Sequence, residues 1–370
     1  MTVVSQAFHG GRLVDAEREF GLSRDQFIDF SSNLNAFAPS VSAGEWERWV
    51  SHIGHYPEAD LEMLRHRLAE FYRISSGCVL PTSGASEALY LAARLFAGCK
   101  VAIVEPGFSD YSRSFDTVNC ECAHVILPQT IWFEPIEKWA HLLEPFDVVV
   151  LGNPNNPTGS LQRLAGFTRL FQETWQRSKS WVIDEAFLEF VEHAQDETLL
   201  SVIEKFPSLI VVRSLTKSWC IPGLRLGFLA TAGSMDRLRR MQPPWSVNSL
   251  AEKWSHAFLT DERRSELLLS FESLRSEKRR FAKQLSGIPG IRLHCGAANF
   301  LLLELVSELL QAKTLYRELG HRGLLVRVCD SFRGMVSGRF VRVAVRTAIE
   351  NDRLVRELSA VCEDKIRRVA

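Results

Sequence analysis

The stretch Val211-Val-Arg-Ser-Leu-Thr-Lys217 carries the strongest indication of fold, because it sets a lysine directly after an apolar run that predicts a buried strand. A lysine in an arbitrary context is usually a solvated surface group. At the end of a buried strand it is partly desolvated, which makes its amine nucleophilic near neutral pH. Lys217 is therefore a candidate reactive amine, and the chain around it decides between the two interpretations.

Short apolar runs rich in Val and Ile alternate with longer helical patterns from about residue 61 to residue 258. This rhythm is typical of an α/β fold with a doubly wound, mainly parallel sheet, in which ligands bind at the carboxyl ends of the strands. The last predicted strand follows its predecessor too closely for a crossover helix and is expected to be antiparallel. The predicted strands are Val101–Val104, Val148–Leu151, Trp181–Ile183, Leu209–Arg213 and Leu226–Leu229.

A different rhythm follows a long helix that we predict from Asn248 to Phe281. Asn299–Leu305, Leu324–Val328 and Phe340–Val345 predict strands of a smaller α+β domain, closed by a helix from about residue 350 to residue 368. The first 40 or so residues are expected to pack with that domain. Since 370 residues exceed one typical core, we expect a large domain over 45–280 and a small domain made of 1–44 and 281–370.

Composition excludes several classes of partner. The 44 Lys and Arg residues equal the 44 Asp and Glu residues, so no overall field attracts nucleic acid or an anionic membrane. The eight cysteines are scattered without metal-ligand spacing, which favours free thiols and no metal site. The N-terminal residues lack the features of a signal peptide, and no apolar run reaches the roughly 18 residues of a membrane span. We expect a cytoplasmic protein.

Two more predicted strand ends carry polar side chains. Asp184 follows Trp181-Val-Ile, and Asn156 lies in Leu151-Gly-Asn-Pro-Asn-Asn-Pro-Thr-Gly. A helix cap explains Asp184, and a tight turn explains the second segment. Both also suit a pyridoxal 5′-phosphate (PLP) site, where a carboxylate keeps the pyridine nitrogen protonated and an amide donates to the phenolate oxygen. The residues alone leave these interpretations about even.

A phosphate site is the third candidate feature. Thr82-Ser-Gly-Ala-Ser86 predicts a loop that leads into a helix, and helix N-termini bind phosphate through free N–H groups. Ser83 is equally compatible with an ordinary N-cap. Ser214 and Arg225 flank Lys217 and suit the same phosphate, with Arg225 as a bidentate donor. Phe108 suits stacking on the pyridine ring, although core packing explains a lone Phe as well.

Taken together, these pieces resemble the fold-type I PLP enzymes, the family of aspartate and histidinol-phosphate aminotransferases. The matching elements occur in the family's order as Ser83-Gly-Ala-Ser, Asn156-Pro-Thr-Gly, Asp184, Ser214-Leu-Thr-Lys217 and Arg225. The resemblance implies that Lys217 holds PLP as a Schiff base and that Asp184 pairs with its ring. It implies further cofactor contacts from Gly84, Ala85, Ser86, Phe108, Asn156, Ser214 and Arg225.

Within this family the chain most resembles the decarboxylases that act on threonine phosphate in cobalamin biosynthesis. The matching stretches are His9-Gly-Gly, Asp29-Phe-Ser-Ser-Asn-Leu-Asn, His55-Tyr-Pro-Glu-Ala-Asp, Asp184-Glu-Ala-Phe, Arg213-Ser-Leu-Thr-Lys, Ile221-Pro-Gly-Leu-Arg-Leu-Gly, Pro244-Trp-Ser-Val-Asn and Val341-Arg-Val-Ala-Val-Arg. Phe187 points the same way, because many aminotransferases have a Tyr there. The resemblance implies that the phosphorylated substrate is bound by His9, Gly10, Asn33, Asn156, Arg327 and Arg342.

The same resemblance implies a homodimer in which Tyr56 reaches the cofactor phosphate of the neighbouring subunit. Alone, His9 reads as a surface or packing residue and Arg342 as an edge-strand residue. An arginine paired with the substrate carboxylate opposes loss of CO₂, so we expect Arg327 and Arg342 to hold the substrate phosphate.

Two departures from the subgroup's pattern stand out: the phosphate loop reads Ser83-Gly-Ala-Ser instead of a more polar sequence, and Arg333 replaces a usual Pro. We expect Arg333 to bring an extra charge near the substrate. The main alternative function is an aminotransferase acting on a phosphorylated substrate, since the same residues support transamination. A PLP-sensing regulatory domain is disfavoured, because the chain is neutral and no helix-turn-helix segment precedes the fold.

Overall fold

Thirteen strands in three sheets organise the computed structural model, which describes residues 9–174 and 179–367. The strands are β1 (Ile28–Asp29), β2 (Val79–Thr82), β3 (Lys100–Glu105), β4 (Glu121–Ile126), β5 (Val148–Gly152), β6 (Ser180–Asp184), β7 (Leu209–Ser214), β8 (Gly227–Ala230), β9 (Ile291–His294), β10 (Phe300–Leu305), β11 (Leu324–Leu325), β12 (Arg327–Val328) and β13 (Phe340–Ala344).

Helices cover these sheets. They are α1 (Leu13–Phe20), α2 (Ala43–Val50), α3 (Glu62–Tyr72), α4 (Gly84–Arg94), α5 (Ser109–Phe115), α6 (Leu164–Thr174), α7 (Ala194–Glu197), α8 (Leu215–Ser218), α9 (Met235–Met241), α10 (Ser249–Phe258), α11 (Asp261–Leu285), α12 (Ala312–Gly320) and α13 (Ala348–Arg367). Short 3₁₀ turns join several of them. No described helix is both long and apolar enough to cross a membrane.

The largest sheet has seven strands in the order β2-β8-β7-β6-β5-β3-β4. All neighbours from β7 through β4 are parallel, and β8 is antiparallel to both β7 and β2. Alternate residues of the central strands enter two separate apolar clusters, with Val149 in one and Val150 in the other. Both faces are therefore buried, as in doubly wound folds. The predicted α/β class is confirmed.

The five strands that we predicted for this sheet are present within one residue at each end. The two that we missed, β2 and β4, are its edge strands. Strand β2 contains Pro81, which an edge position tolerates although it has no N–H. Strand β4 reads Glu-Cys-Ala-His-Val-Ile and lacks the continuous apolar run of its buried neighbours.

The second sheet has four antiparallel strands in the order β12-β13-β10-β9. The strand that we predicted over Leu324–Val328 is in fact two. Leu324–Leu325 pairs with β1, whereas Arg327–Val328 joins β13, so the chain changes sheets at the buried Val326. The pairing of β1 with β11 joins the segment around Ile28–Asp29 to the C-terminal part of the chain.

Our prediction of a single helix from Asn248 to Phe281 is wrong, because the segment forms two helices. Helix α10 ends at Phe258, and α11 begins at Asp261. Thr260 makes the break, because its side chain accepts a hydrogen bond from the Arg263 N–H and caps the second helix. The sequence signal was present, since a Thr followed by two acids is typical of a helix start. Our division into two domains stays a prediction.

Candidate active site

Lys217 lies in the short helix α8, immediately after β7, and lines a cavity of about 340 Å³. Its backbone carbonyl accepts a hydrogen bond from the Asn35 N–H at 2.9 Å. Burial lowers the pKa of Lys217 to about 8, and the positive charges of Arg342 and Arg225 act in the same direction. The amine is thus substantially neutral at mildly basic pH, which a nucleophilic lysine requires.

Asp184 ends β6 and presents a buried carboxylate to the same cavity. Its Oδ1 accepts the Ala186 N–H and its Oδ2 accepts the Tyr111 hydroxyl, both at 2.9 Å. Burial raises the pKa of Asp184, while these two donors and Lys217 oppose that rise. A cation placed beside the carboxylate would therefore be stabilised.

The cavity brings together most of the residues that the sequence analysis selected: His9, Gly10, Asn33, Ala85, Ser86, Phe108, Asn156, Asp184, Ser214, Lys217, Arg225, Arg327 and Arg342. Sequence reasoning did not select several other lining residues, among them Ser31, Ser32, Asp110, Tyr111, Thr216, Ser331 and Phe332. Ser31, Ser32 and Thr216 lie within stretches that we had quoted, so that signal was available. Tyr111 lies in α5, where nothing in the sequence distinguishes it from a core tyrosine.

One end of the cavity lies at the N-terminus of α4. Gly84, the first residue of this helix, has φ of +76°, and a Cβ built on it would lie 2.8 Å from Arg225 Nη2. A side chain at this position would displace the guanidinium, and the positive φ favours glycine. Ser83 occupies the N-cap position of α4, but its side chain makes no capping bond, which leaves the first N–H groups of the helix available to a ligand. Ser214 Oγ lies 2.7 Å from Thr216 Oγ1 beside them.

The other end holds two arginines, Arg327 on β12 and Arg342 on β13, which face each other in register. Both are buried, and burial lowers the pKa of Arg342 to about 9. The edge-strand interpretation of Arg342 is wrong, because β13 lies between β12 and β10. Among residues 9–174 and 179–367, no carboxylate lies within 4 Å of either guanidinium. Buried cations of this kind favour an anionic ligand.

Hydrogen bonds fix the orientation of both guanidinium groups. Arg342 donates through Nη1 to Asn156 Oδ1 and through Nη2 to the Ser31 carbonyl, the latter at 2.8 Å. Arg327 donates through Nη2 to Ser331 Oγ and through Nη1 to the Val328 carbonyl, both at 2.6 Å. Because Asn156 contacts Arg342, the turn after β5 meets the smaller sheet inside the cavity.

Three residues near the N-terminus, His9, Gly10 and Asn33, also line the cavity. A Cβ on Gly10 would lie 2.0 Å from the Ser31 carbonyl oxygen, so only glycine fits this approach. The Asn33 side chain is buried, and its Oδ1 has no hydrogen-bond partner among the described residues. His9 is about two-fifths exposed, lies 3.4 Å from Asp110 and contacts the Phe108 ring at 5.5 Å between centroids.

Tyr56 does not line this cavity. Its side chain is 82% exposed and contacts the Trp245 ring at 5.0 Å between centroids. Phe187 lies in the cavity wall with its edge against Phe300.

Arg333 does not line the cavity, contrary to our expectation of a charge at the substrate. Its positive charge acts instead on Glu105. Burial raises the pKa of Glu105 to about 7, and the charge of Arg333 opposes this rise by stabilising the carboxylate.

This donor set fits PLP. Asp184 has the raised pKa of a buried carboxylate that a pyridinium nitrogen would stabilise, and the Lys217 amine has a lowered pKa. The free N-terminus of α4 and Arg225 suit a phosphate group beside the cradle at Gly84. The cavity therefore offers complementary groups for both ends of the cofactor, and the arginine end remains for a second anion.

Comparison with known proteins gives the class. A sequence profile described as aminotransferase class I and II matches residues 25–358, and the chain belongs to this family. It is a PLP-dependent enzyme of fold type I. The histidinol-phosphate aminotransferase of Sinorhizobium meliloti, solved in complex with pyridoxal 5′-phosphate, shares the fold with a TM-score of 0.81 at 19% identity, covering 100% of this chain and 98% of that one.

Particular relatives fall into two groups. The chain is 34% identical to threonine-phosphate decarboxylase of Salmonella typhimurium over 361 residues, covering 95% of this chain and 96% of that protein. It is 27% identical to histidinol-phosphate aminotransferase of Ruminiclostridium cellulolyticum, covering 84% of each. The crystal structure of histidinol-phosphate aminotransferase from Clostridium acetobutylicum matches with a TM-score of 0.81 at 25% identity, covering 90% of this chain and 99% of that one.

Proposed function

We propose that this enzyme decarboxylates L-threonine O-3-phosphate to (R)-1-aminopropan-2-yl phosphate for cobalamin biosynthesis. The observation that carries the proposal is the pair Arg327 and Arg342, a buried cationic site in the same cavity as Lys217 and Asp184. The 34% identity to a threonine-phosphate decarboxylase over nearly the whole chain supports it. A phosphorylated amino acid matches a site with one reactive amine and a separate anion pocket.

Bound PLP supplies an electron sink for the pair released when the Cα–carboxylate bond breaks. In our proposal Asp184 keeps the ring nitrogen protonated, since a buried carboxylate is stabilised by that cation. Asn156, in the turn after β5, would donate to the ring's phenolate oxygen, and Phe108 would pack on the ring face. Gly84, Ala85, Ser86, Ser214 and Arg225 hold the cofactor phosphate.

Lys217 has the second chemical role. With substrate bound, the Lys217 Nζ would donate a proton to Cα after CO₂ has left. Its pKa of about 8 suits this exchange, because an acid–base group works best when its pKa lies near the working pH. The proton goes to the carbon that the departing CO₂ has left.

Arg327 and Arg342, with His9, Gly10, Asn33 and Asn156, hold the substrate phosphate in this proposal. A guanidinium that paired firmly with the substrate carboxylate would stabilise the ground state and lose that interaction as CO₂ formed. Placing both arginines on the phosphate leaves the carboxylate without a strong partner. Each charge-assisted contact contributes about 1.5–3 kcal/mol.

We further propose a cytoplasmic homodimer in which Tyr56 reaches the cofactor phosphate of the second subunit. Tyr56 and Trp245 form an exposed aromatic pair, and exposed aromatic surface of this kind favours an interface. All eight cysteines are free, which fits a reducing compartment.

The test is incubation of the purified, PLP-loaded enzyme with L-threonine O-3-phosphate, with measurement of released CO₂ and of amino-group transfer to a 2-oxo acid. We expect CO₂ in proportion to substrate consumed and no transfer. Transfer without CO₂ would replace the decarboxylase by the second candidate, an aminotransferase for a phosphorylated substrate. The 25% identity and TM-score of 0.81 to a histidinol-phosphate aminotransferase structure favour that candidate.

A further inference from the structure

Arg225 has a backbone conformation that residues other than glycine rarely adopt. Its φ is 56° and its ψ is 65°, in the left-handed region. Non-glycine residues persist there only where their surroundings hold the backbone in place. Identifying what holds Arg225 therefore identifies what positions its guanidinium.

The peptide that precedes Arg225 is held by Asn248. The Asn248 Nδ2 donates a hydrogen bond to the Leu224 carbonyl at 2.8 Å. At the same time Asn248 Oδ1 accepts the Ala251 N–H at 2.9 Å and caps α10. One side chain thus anchors the turn before Arg225 to the start of a helix with a buried face. Asn248 is also the last residue of the stretch Pro244-Trp-Ser-Val-Asn.

The Arg225 guanidinium lies between this turn and the N-terminus of α4. Arg225 Nη2 would lie 2.8 Å from a Cβ on Gly84, so it lies against the first residue of α4. Its Nη1 donates to the Pro222 carbonyl at 3.3 Å, within the turn that Asn248 holds. A rotation of the Leu224–Arg225 peptide would move the guanidinium away from the helix N-terminus.

We propose that Asn248 is a positioning residue that sets Arg225 against the N-terminus of α4 for binding of the cofactor phosphate. The inference rests on the phosphate role that the proposed function gives to Arg225. It predicts that loss of the Asn248 donor weakens binding of the phosphate group specifically.

The experiment titrates the full-length protein, freed of cofactor, with PLP and with pyridoxal, which lacks the phosphate. Asn248→Ser and Asn248→Asp both keep an oxygen that caps α10, since Ser and Asp are good N-cap residues. Neither has an amide donor for the Leu224 carbonyl. We expect the dissociation constant for PLP to rise about threefold to tenfold, the range for one lost hydrogen bond, while that for pyridoxal stays unchanged.

Two comparisons separate this role from a purely structural one. Thr260→Ala removes the cap of α11, which has no bond to the turn before Arg225, and should leave the PLP-to-pyridoxal ratio unchanged. Arg225→Gln should lower PLP affinity, and adding Asn248→Ser to it should cause no further loss. If Arg225→Gln lowers PLP affinity but neither Asn248 variant does, the inference is overturned and the proposed function stands.

Two other results would also decide the matter. A further loss in the double variant would mean that Asn248 does not act through Arg225, and the inference would fail. An unchanged PLP-to-pyridoxal ratio in Arg225→Gln would remove the proposed phosphate role of Arg225, and the inference with it.

Discussion

Glu185 and Arg213 form a buried ion pair, with Arg213 Nη2 3.0 Å from Glu185 Oε2. Glu185 directly follows Asp184, and Arg213 directly precedes Ser214, at the ends of two adjacent parallel strands. Thr198 joins them, because its hydroxyl donates to Glu185 and accepts from Arg213. The pair therefore fixes the strand ends that carry the candidate catalytic residues.

We predict that Glu185→Ala lowers the free energy of unfolding by about 3–5 kcal/mol, because it leaves the Arg213 guanidinium buried without a countercharge. Glu185→Gln should cost less, since an amide oxygen still accepts the Leu199 N–H. Urea unfolding of the full chain measures both.

The matched control is Lys138→Ala, which breaks the exposed pair of Lys138 with Glu134 and should cost less than about 1 kcal/mol. Equal losses of unfolding free energy in Glu185→Ala and Lys138→Ala would show that the buried pair stabilises the fold no more than an exposed pair does.

Tyr111→Phe tests the hydrogen bond to Asp184. That bond lowers the pKa of Asp184, so its loss should raise the pKa further. Asp184 is needed as a carboxylate, and the acid limb of the activity profile should therefore move to higher pH. The measurement is kcat/KM against pH for CO₂ release. Tyr72→Phe is the control, because its hydroxyl donates to Glu189 outside the cavity, and its acid limb should stay where it is.

Features that depend on local sequence were predictable. The strand ends that carry Asp184 and Lys217 follow apolar runs that must be buried in any fold, so position and burial came from pattern alone. The edge strands β2 and β4 could not be predicted in this way. An edge strand needs no continuous apolar run, and it tolerates a proline such as Pro81.

Features that depend on distant contacts were not predictable from pattern. Tyr111 meets Asp184 across 73 residues of sequence, and Arg342 meets Asn156 across 186. Resemblance to a family named Arg342 but could not tell that Arg333 lies outside the cavity wall. The direction in which an exposed side chain points depends on tertiary packing, which the local spacing of residues does not predict.

The lowered pKa values of Lys217 and Lys278 should make the stability of the cofactor-free protein depend on pH. Burial lowers the pKa of Lys217 and of Lys278 from 10.5 to about 8. Between these values the unfolded chain binds more protons than the folded one, so the contribution of each lysine to stability rises with pH. Below about pH 8 that contribution is lost, because the folded state must then bury a charge.

We predict that Lys217→Met gains stability relative to the unsubstituted chain at pH 7 and loses much of that advantage at pH 10. Urea unfolding at both values measures the difference. Lys138→Met, at an exposed site, should show no such dependence. A Lys217→Met curve parallel to that of the unsubstituted chain would contradict the desolvation of Lys217.

Arg342→Ala tests the anion pocket. We expect binding of L-threonine O-3-phosphate to weaken about tenfold to 150-fold, the range for one charge-assisted contact of about 1.5–3 kcal/mol. PLP binding should be retained, because the cofactor phosphate lies at the α4 end of the cavity in our proposal. Arg333→Ala is the matched control, since this arginine is exposed and does not line the cavity. An unchanged affinity for L-threonine O-3-phosphate in Arg342→Ala, with the fold intact, would show that Arg342 does not hold the substrate phosphate.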